Sequence, residues 1–244
     1  MAAFRTLWTA LFGLYDETLV LVAGNLAAVA LNLPIGLVLF FIVLPFVSNA
    51  EQSSTQWLIL VIAWLMPFLP TPGNLALARL TQVAAGPDAP RLHHFREGLR
   101  SYWRLALLCS VLSLVVLVAT IWNITFYVGF GPGWPLLVSI LWLYASLFWL
   151  GLHLFLVPLI VHLSEPRVFD LYRRAAFVAL GHGGYTLVLL AVLLALTFAA
   201  VLFLPVYVLV APALVSLTQA HALREIRRRH GDLVAEPEEE VSRL

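Results

Sequence analysis

The chain has 244 residues, of which 62% are hydrophobic and 11% charged, with a formal net charge of +1. Mean hydropathy is +0.95. A soluble domain is roughly half apolar and about a quarter charged, so this composition argues against a soluble enzyme, a nucleic-acid binder or a disordered chain. It points to an all-α polytopic bundle with the lipid bilayer as its solvent.

All 14 basic residues are arginine, and the single cysteine, Cys109, lies in an apolar run. One cysteine forms no intramolecular disulfide and no metal cluster, so Cys109 reads as a small buried hydrophobe. The first apolar stretch is too long for a cleavable signal peptide, and it follows the acidic Asp16 and Glu17 rather than a basic region.

Apolar runs fall at 18–46, 57–78, 105–127, 136–161, 185–203 and 206–222. A helix needs about 20 residues to cross the hydrocarbon, so the runs predict six transmembrane helices. The first run must tilt, kink near Pro34 or lie partly in the interface. The last two runs are separated by Leu204-Pro205. Pro205 lacks a backbone donor and clashes with the preceding turn, so the sequence predicts a tight hairpin there.

Arginine placement sets the orientation. Arg5 precedes the first run. Arg79, Arg91, Arg96, Arg100 and Arg104 lie in or beside the second connection, and Arg167, Arg173 and Arg174 lie in the fourth. Arg224, Arg227, Arg228, Arg229 and Arg243 follow the last run. Short cytoplasmic loops are enriched in positive charge, and with six crossings every arginine falls on one side. Both termini are therefore expected in the cytoplasm. A five-span chain would strand the cluster at 224–229 outside.

An amphipathic, partly charged stretch precedes each odd-numbered run, at 2–15, 92–103 and 168–180. In the third, Phe169, Tyr172 and Ala176 share a helical face. Such stretches either lie along the headgroups or pack on the end of the bundle. Each even-numbered run carries a proline: Pro72, Pro158 and Pro212. The pattern suggests three helical-hairpin repeats, each an interfacial helix, a span and a return span. General resemblance among membrane sequences is the alternative. Residues 1–230 form the membrane domain and 231–244 an acidic cytoplasmic tail.

Four places carry a family resemblance. Leu14-Tyr15-Asp16 stands before the first run. Gly24-Asn25-Leu26 and Leu31-Asn32-Leu33-Pro34 lie within it. Pro70-Thr71-Pro72-Gly73, followed by Arg79, closes the second. Phe95-Arg96-Glu97-Gly98-Leu99-Arg100-Ser101-Tyr102-Trp103 precedes the third. On these motifs the chain resembles the YesL-like family of bacterial integral membrane proteins over most of its length, with the tail from Asp232 outside the similarity. The resemblance implies a protein of the bacterial cytoplasmic membrane, often met beside carbohydrate-uptake and polysaccharide-degradation genes. It carries over no catalytic residue.

No Asp or Glu lies inside any predicted span. Proton relays in transporters use intramembrane Asp, Glu and His chains, so a proton-coupled carrier is disfavoured. Asn25, Asn32, Asn74, Asn123 and His153 are the strongly polar residues within the spans. They read either as interhelical hydrogen-bonding groups or as a polar substrate site. Pro70-Thr71-Pro72-Gly73-Asn74 breaks a span near its cytoplasmic end. Freed carbonyls and a new helix start near Asn74 resemble the broken helices of carriers, and neighbouring helices satisfying a kink are the plainer account. Arg79 lies just over a turn further on, placed for an anion contact or for reaching the headgroups. Pro72, Asn74, Arg79 and His153 are thus the candidate ligand-binding residues.

No catalytic set, metal site or cofactor motif is present: His93-His94 is a poor metal pair, and Gly181-His182-Gly183-Gly184 lacks the nucleophile that would give it meaning. The basic run at 224–229 suits anionic lipid. The expected function is that of a non-enzymatic accessory or scaffold subunit of a membrane complex or transporter. The alternative is a permease for a small sugar-like solute. Expected partners are the lipid bilayer and a membrane protein or a second copy of the chain, with no nucleic acid.

Overall fold

The computed structural model describes residues 2–47, 53–131, 133–163 and 167–230. The acidic tail at 231–244 lies outside the described residues. Among the described residues the chain forms ten α-helices and a short 3-10 turn, without strands. They are α1 (Ala2–Asp16), α2 (Thr18–Val47), α3 (Ser53–Leu65), the turn Met66–Phe68, α4 (Pro72–Ala84), α5 (Leu92–Val128), α6 (Trp134–His162), α7 (Val168–Gly181), α8 (Gly183–Leu202), α9 (Leu204–Leu209) and α10 (Ala211–His230).

Among the described residues four helices are long and apolar enough to cross a membrane: α2 over Thr18–Leu44, α5, α6 and α8. The pair Ile59–Phe68 and Pro72–Ala84, bent by 43°, makes a fifth if read as one broken span. The expected run at 206–222 is not one helix. It is divided at Val210 (φ −129°, ψ −42°) into α9 and α10. The interruption falls at Phe203, between α8 and α9, and Leu204-Pro205 form the first turn of α9 rather than the break itself. Helix α2 continues through Pro34 without interruption.

The amphipathic stretches differ from one another. Helices α1 and α7 are separate elements, whereas 92–103 is continuous with the following span in the 37-residue helix α5. At 1.5 Å per residue α5 is about 55 Å long, nearly twice the hydrocarbon thickness of about 30 Å, so its first turns stand beyond the apolar part. Helix α7 buries Leu171, Ala175 and Val178 and leaves Phe169 and Phe177 exposed, so packing on the bundle and apolar exposure coexist on one helix. Helix α1 likewise buries Ala3, Leu7 and Ala10 and exposes Phe4, Trp8 and Phe12.

Helices α4, α6 and α10 pack on one another at the centre. Residues 73–78 of α4, 151–161 of α6 and 211–220 of α10 are buried without a gap, as expected of helices surrounded on all sides. Around them the order is cyclic: α5 packs on α4, α7 on α6 and α1 on α10. Small residues permit the closest approaches. A Cβ at Gly98 of α5 would lie 2.6 Å from the Arg79 Cβ and 3.1 Å from the Ala76 Cα. A Cβ at Gly73 would lie 2.6 Å from the Ala28 carbonyl oxygen of α2.

The prolines that break the return helices free carbonyls, and side chains from elsewhere in the fold take them up. Pro67 has no N–H to offer the Ala63 carbonyl four residues earlier, and the Tyr207 hydroxyl of α9 donates to it at 2.7 Å. Pro212 leaves the Val208 carbonyl without its helical donor, and Asn25 Nδ2 of α2 donates to it at 2.7 Å. The Pro70 carbonyl accepts from Ser110 Oγ of α5 at 3.1 Å.

Gly73→Ala must push against backbone as well as the Asn32 side chain, and overpacking of this kind costs about 1–3 kcal/mol. Thermal unfolding in detergent is expected to show that loss for Gly73→Ala. Gly36→Ala, where nothing lies within 4 Å of the added Cβ, is expected to leave stability unchanged or slightly raised.

Candidate functional site

Asn74 sits one turn into α4, beneath its own helix cap. Thr71 is the N-cap, with its Oγ1 accepting from the Asn74 N–H at 3.2 Å, and Pro72 begins the helix where a missing N–H costs nothing. The Asn74 side chain is 3% exposed. Its Nδ2 donates to the Met66 and Leu69 carbonyls at 2.7 and 2.8 Å. Its Oδ1 accepts from Asn32 Nδ2 of α2 at 2.8 Å. The amide thus closes the chain break at 69–71 and ties it to α2, with both side-chain donors and the acceptor engaged. The helix start that resembles a carrier's broken helix is occupied by the protein's own groups.

His153 belongs to a different network. It is fully buried in α6, with Nε2 2.8 Å from Ser113 Oγ of α5 and Nδ1 2.7 Å from the Trp149 carbonyl. Tyr172 of α7 stacks on Trp149 with ring centroids 5.3 Å apart. Asn123 Nδ2 turns back to the Ala119 carbonyl of its own helix at 2.6 Å. The structure therefore does not bring Asn74 and His153 into one site.

Arg79 leads elsewhere. It lines a cavity of about 300 Å³ where α4, α6 and α10 meet at their arginine-bearing end. Ala78, Arg79 and Gln82 come from α4, Pro158 and His162 from α6, and Ser216, Gln219, Leu223, Arg224 and Arg227 from α10. Pro87 and Asp88 of the α4–α5 connection also line it. Arg79 Nη2 pairs with Glu97 at 2.9 Å. Arg224 donates to the Gln82 carbonyl at 2.9 Å and to the Ala85 carbonyl. Arg227 Nη1 lies 2.6 Å from His162 Nε2; a guanidinium only donates, so this ring nitrogen accepts. Burial, and next the neighbouring Arg227, push the Arg224 pKa below its ordinary value. Gln219 is 1% exposed, and its Nε2 has no hydrogen-bond partner.

A second, apolar cavity of about 370 Å³ lies between α2, α3 and α9, with Asn32 and Tyr207 on its wall. Among the described residues no group of three His, Cys, Asp or Glu side chains is placed to hold a metal ion.

The sequence reading found Arg79, assigned Arg224 and Arg227 only to anionic lipid as part of the basic run, and missed Gln219 and His162. The missed signal was periodic: residues 216, 219, 220, 223 and 227 recur at helical spacing and share one face of α10. Comparison with protein-family models, curated proteins and solved structures found no match.

Asn74→Asp keeps the shape but replaces a donor that serves two carbonyls with an acceptor. The Met66 and Leu69 carbonyls keep their backbone donors, but Asp sets acceptor oxygens against both and Ala leaves Asn32 Nδ2 without its acceptor. A buried group left unpaired costs about 1–3 kcal/mol. Both Asn74→Ala and Asn74→Asp are expected to lower thermal stability by about 2 kcal/mol or more, with the isosteric Asp no better than Ala. Wild-type stability in Asn74→Asp would contradict the structural role.

Proposed function

We propose that this chain is a non-enzymatic protein of the bacterial cytoplasmic membrane that serves as an accessory or scaffold subunit of a larger membrane complex or transporter. The observation that carries the reading is the use to which the membrane-depth polar groups are put. Asn25 holds the Val208 carbonyl freed by Pro212, Asn74 gives the Met66 and Leu69 carbonyls a second donor at the chain break, and His153 bonds to Ser113 and Trp149. Of the candidate substrate-contacting groups, Asn74 and His153 are thereby committed to the fold. What faces outward is apolar: Trp103, Phe126, Leu141, Tyr144 and Phe198 are exposed along α5, α6 and α8, a surface for lipid or for another membrane protein.

The chain crosses the membrane six times, with both termini in the cytoplasm. In support, contacts between arginines and their partners join four places that charge asymmetry puts on one side. Arg5 of α1 pairs with Glu225 of α10, Arg79 pairs with Glu97, Arg224 reaches the carbonyls at the end of α4, and Arg227 reaches the end of α6. Together α9 and α10 form the sixth crossing, broken at Val210 as the second crossing is broken at 69–71. The cyclic packing of α5 on α4, α7 on α6 and α1 on α10 supports three repeated units, each made of an amphipathic helix, a span and a return span.

Purification in gentle detergent at native expression level, followed by mass spectrometry, tests the role. The expected result is a second membrane polypeptide at fixed stoichiometry. A chain that purifies alone, or only with copies of itself, contradicts the accessory reading and favours the permease.

A further inference from the structure

We propose that the cavity enclosed by α4, α6 and α10 binds a phosphate group, held by Arg79, Arg227 and the side-chain amide of Gln219. The first argument is charge. Three guanidiniums, from Arg79, Arg224 and Arg227, line the cavity with one carboxylate, Asp88. Glu97 takes part of the Arg79 charge. The partners of Arg224 are backbone carbonyls and that of Arg227 is an imidazole nitrogen, and these accept hydrogen bonds without cancelling a charge. Each guanidinium has five N–H donors, so the existing contacts leave donors over.

The second argument is the orphan donor. Gln219 is 1% exposed and its Nε2 has no partner. A buried unsatisfied amide is destabilising, and an acceptor ligand in this cavity would relieve that cost. A phosphate group has strong acceptor oxygens, and arginine matches its geometry with paired N–H donors. A cation would have Asp88 and carbonyl oxygens to bind but would face three arginines. The third argument is size and place. At about 300 Å³ the cavity is at the lower end of small-molecule sites, which run from about 300 to 1,000 Å³. Lying at the end of the bundle where the arginines gather, it is open to a phosphate from solution or from a lipid headgroup.

The test is thermal unfolding of the full chain in nanodiscs, read as the concentration of ligand that gives half the maximal stabilisation. One arm titrates inorganic phosphate, against chloride at matched ionic strength, in phosphatidylcholine discs. The other replaces part of the phosphatidylcholine with phosphatidylglycerol. Stabilisation by inorganic phosphate assigns a soluble phosphate, stabilisation by phosphatidylglycerol only assigns a headgroup, and either supports the site.

Losing one hydrogen bond to a charged group weakens binding by about tenfold or more. That shift is expected for Gln219→Leu and for Arg227→Gln, while Arg5→Gln, outside the cavity, is expected to respond as wild type. No stabilisation of wild type in either arm overturns the proposal whatever the variants do. An undiminished response in the Gln219→Leu/Arg227→Gln double variant overturns it too.

Discussion

Proline inside an apolar bundle leaves a carbonyl without its helical donor, and lipid offers no water to replace it. This fold repeatedly meets that demand with a side chain from another part of the chain. Tyr207 serves Ala63 and Asn25 serves Val208. Each of these bonds also fixes where a helix sits. Asn25 ties α2 to α9, Tyr207 ties α9 to α3, and the Asn32–Asn74 bond ties α2 to α4. The breaks are therefore the joints at which the bundle is held together. Regular helices with a purely apolar surface would offer lipid and neighbouring helices much the same contact.

The same arrangement separates polar from apolar functions along the molecule. At membrane depth Asn25, Asn32, Asn74 and His153 each bond to backbone or to another side chain, while Asn25 Oδ1, Asn32 Oδ1 and Trp149 Nε1 are buried without a partner. At one end the arginines meet carbonyl termini, carboxylates and a histidine, and the three central helices enclose a cavity lined by donors. Helix C-termini carry partial negative charge, which suits Arg224 at the end of α4 and Arg227 at the end of α6. The arginines whose distribution carries the charge asymmetry, a feature that orients membrane chains in general, thus also line the cation-rich cavity.

Much of the architecture was legible in the sequence. The apolar runs marked α2, α5, α6 and α8, because an unbroken apolar stretch in lipid has little choice but a helix. Two features were harder to read. The stretch 92–103 continues into its span as α5, since amphipathic composition does not say whether a helix stops at the membrane surface. The break at Val210 lies beside Pro212, but the partner of the freed Val208 carbonyl is Asn25, 183 positions away in the chain and joined only through space. Asn74 and His153 were visible as unusual polar residues, but their partners were not, and a polar residue's role depends on what it meets. Arg79 was singled out for charge alone. Gln219 carried a helical periodicity with Ser216, Leu223 and Arg227, hidden in a run whose apolar neighbours set its average.

The dependence of the fold on proline-freed carbonyls is tested most directly by a double-mutant cycle between Asn25 and Pro212, read as unfolding free energy in bicelles. In the wild-type background Asn25→Leu is expected to cost about 1–3 kcal/mol, because the Val208 carbonyl loses its donor. Pro212→Ala restores a backbone N–H four residues after Val208. In that background the cost of Asn25→Leu is expected to fall by about 1 kcal/mol or more, a coupling well above the few tenths seen for independent sites. Strictly additive effects of the two substitutions would contradict the account.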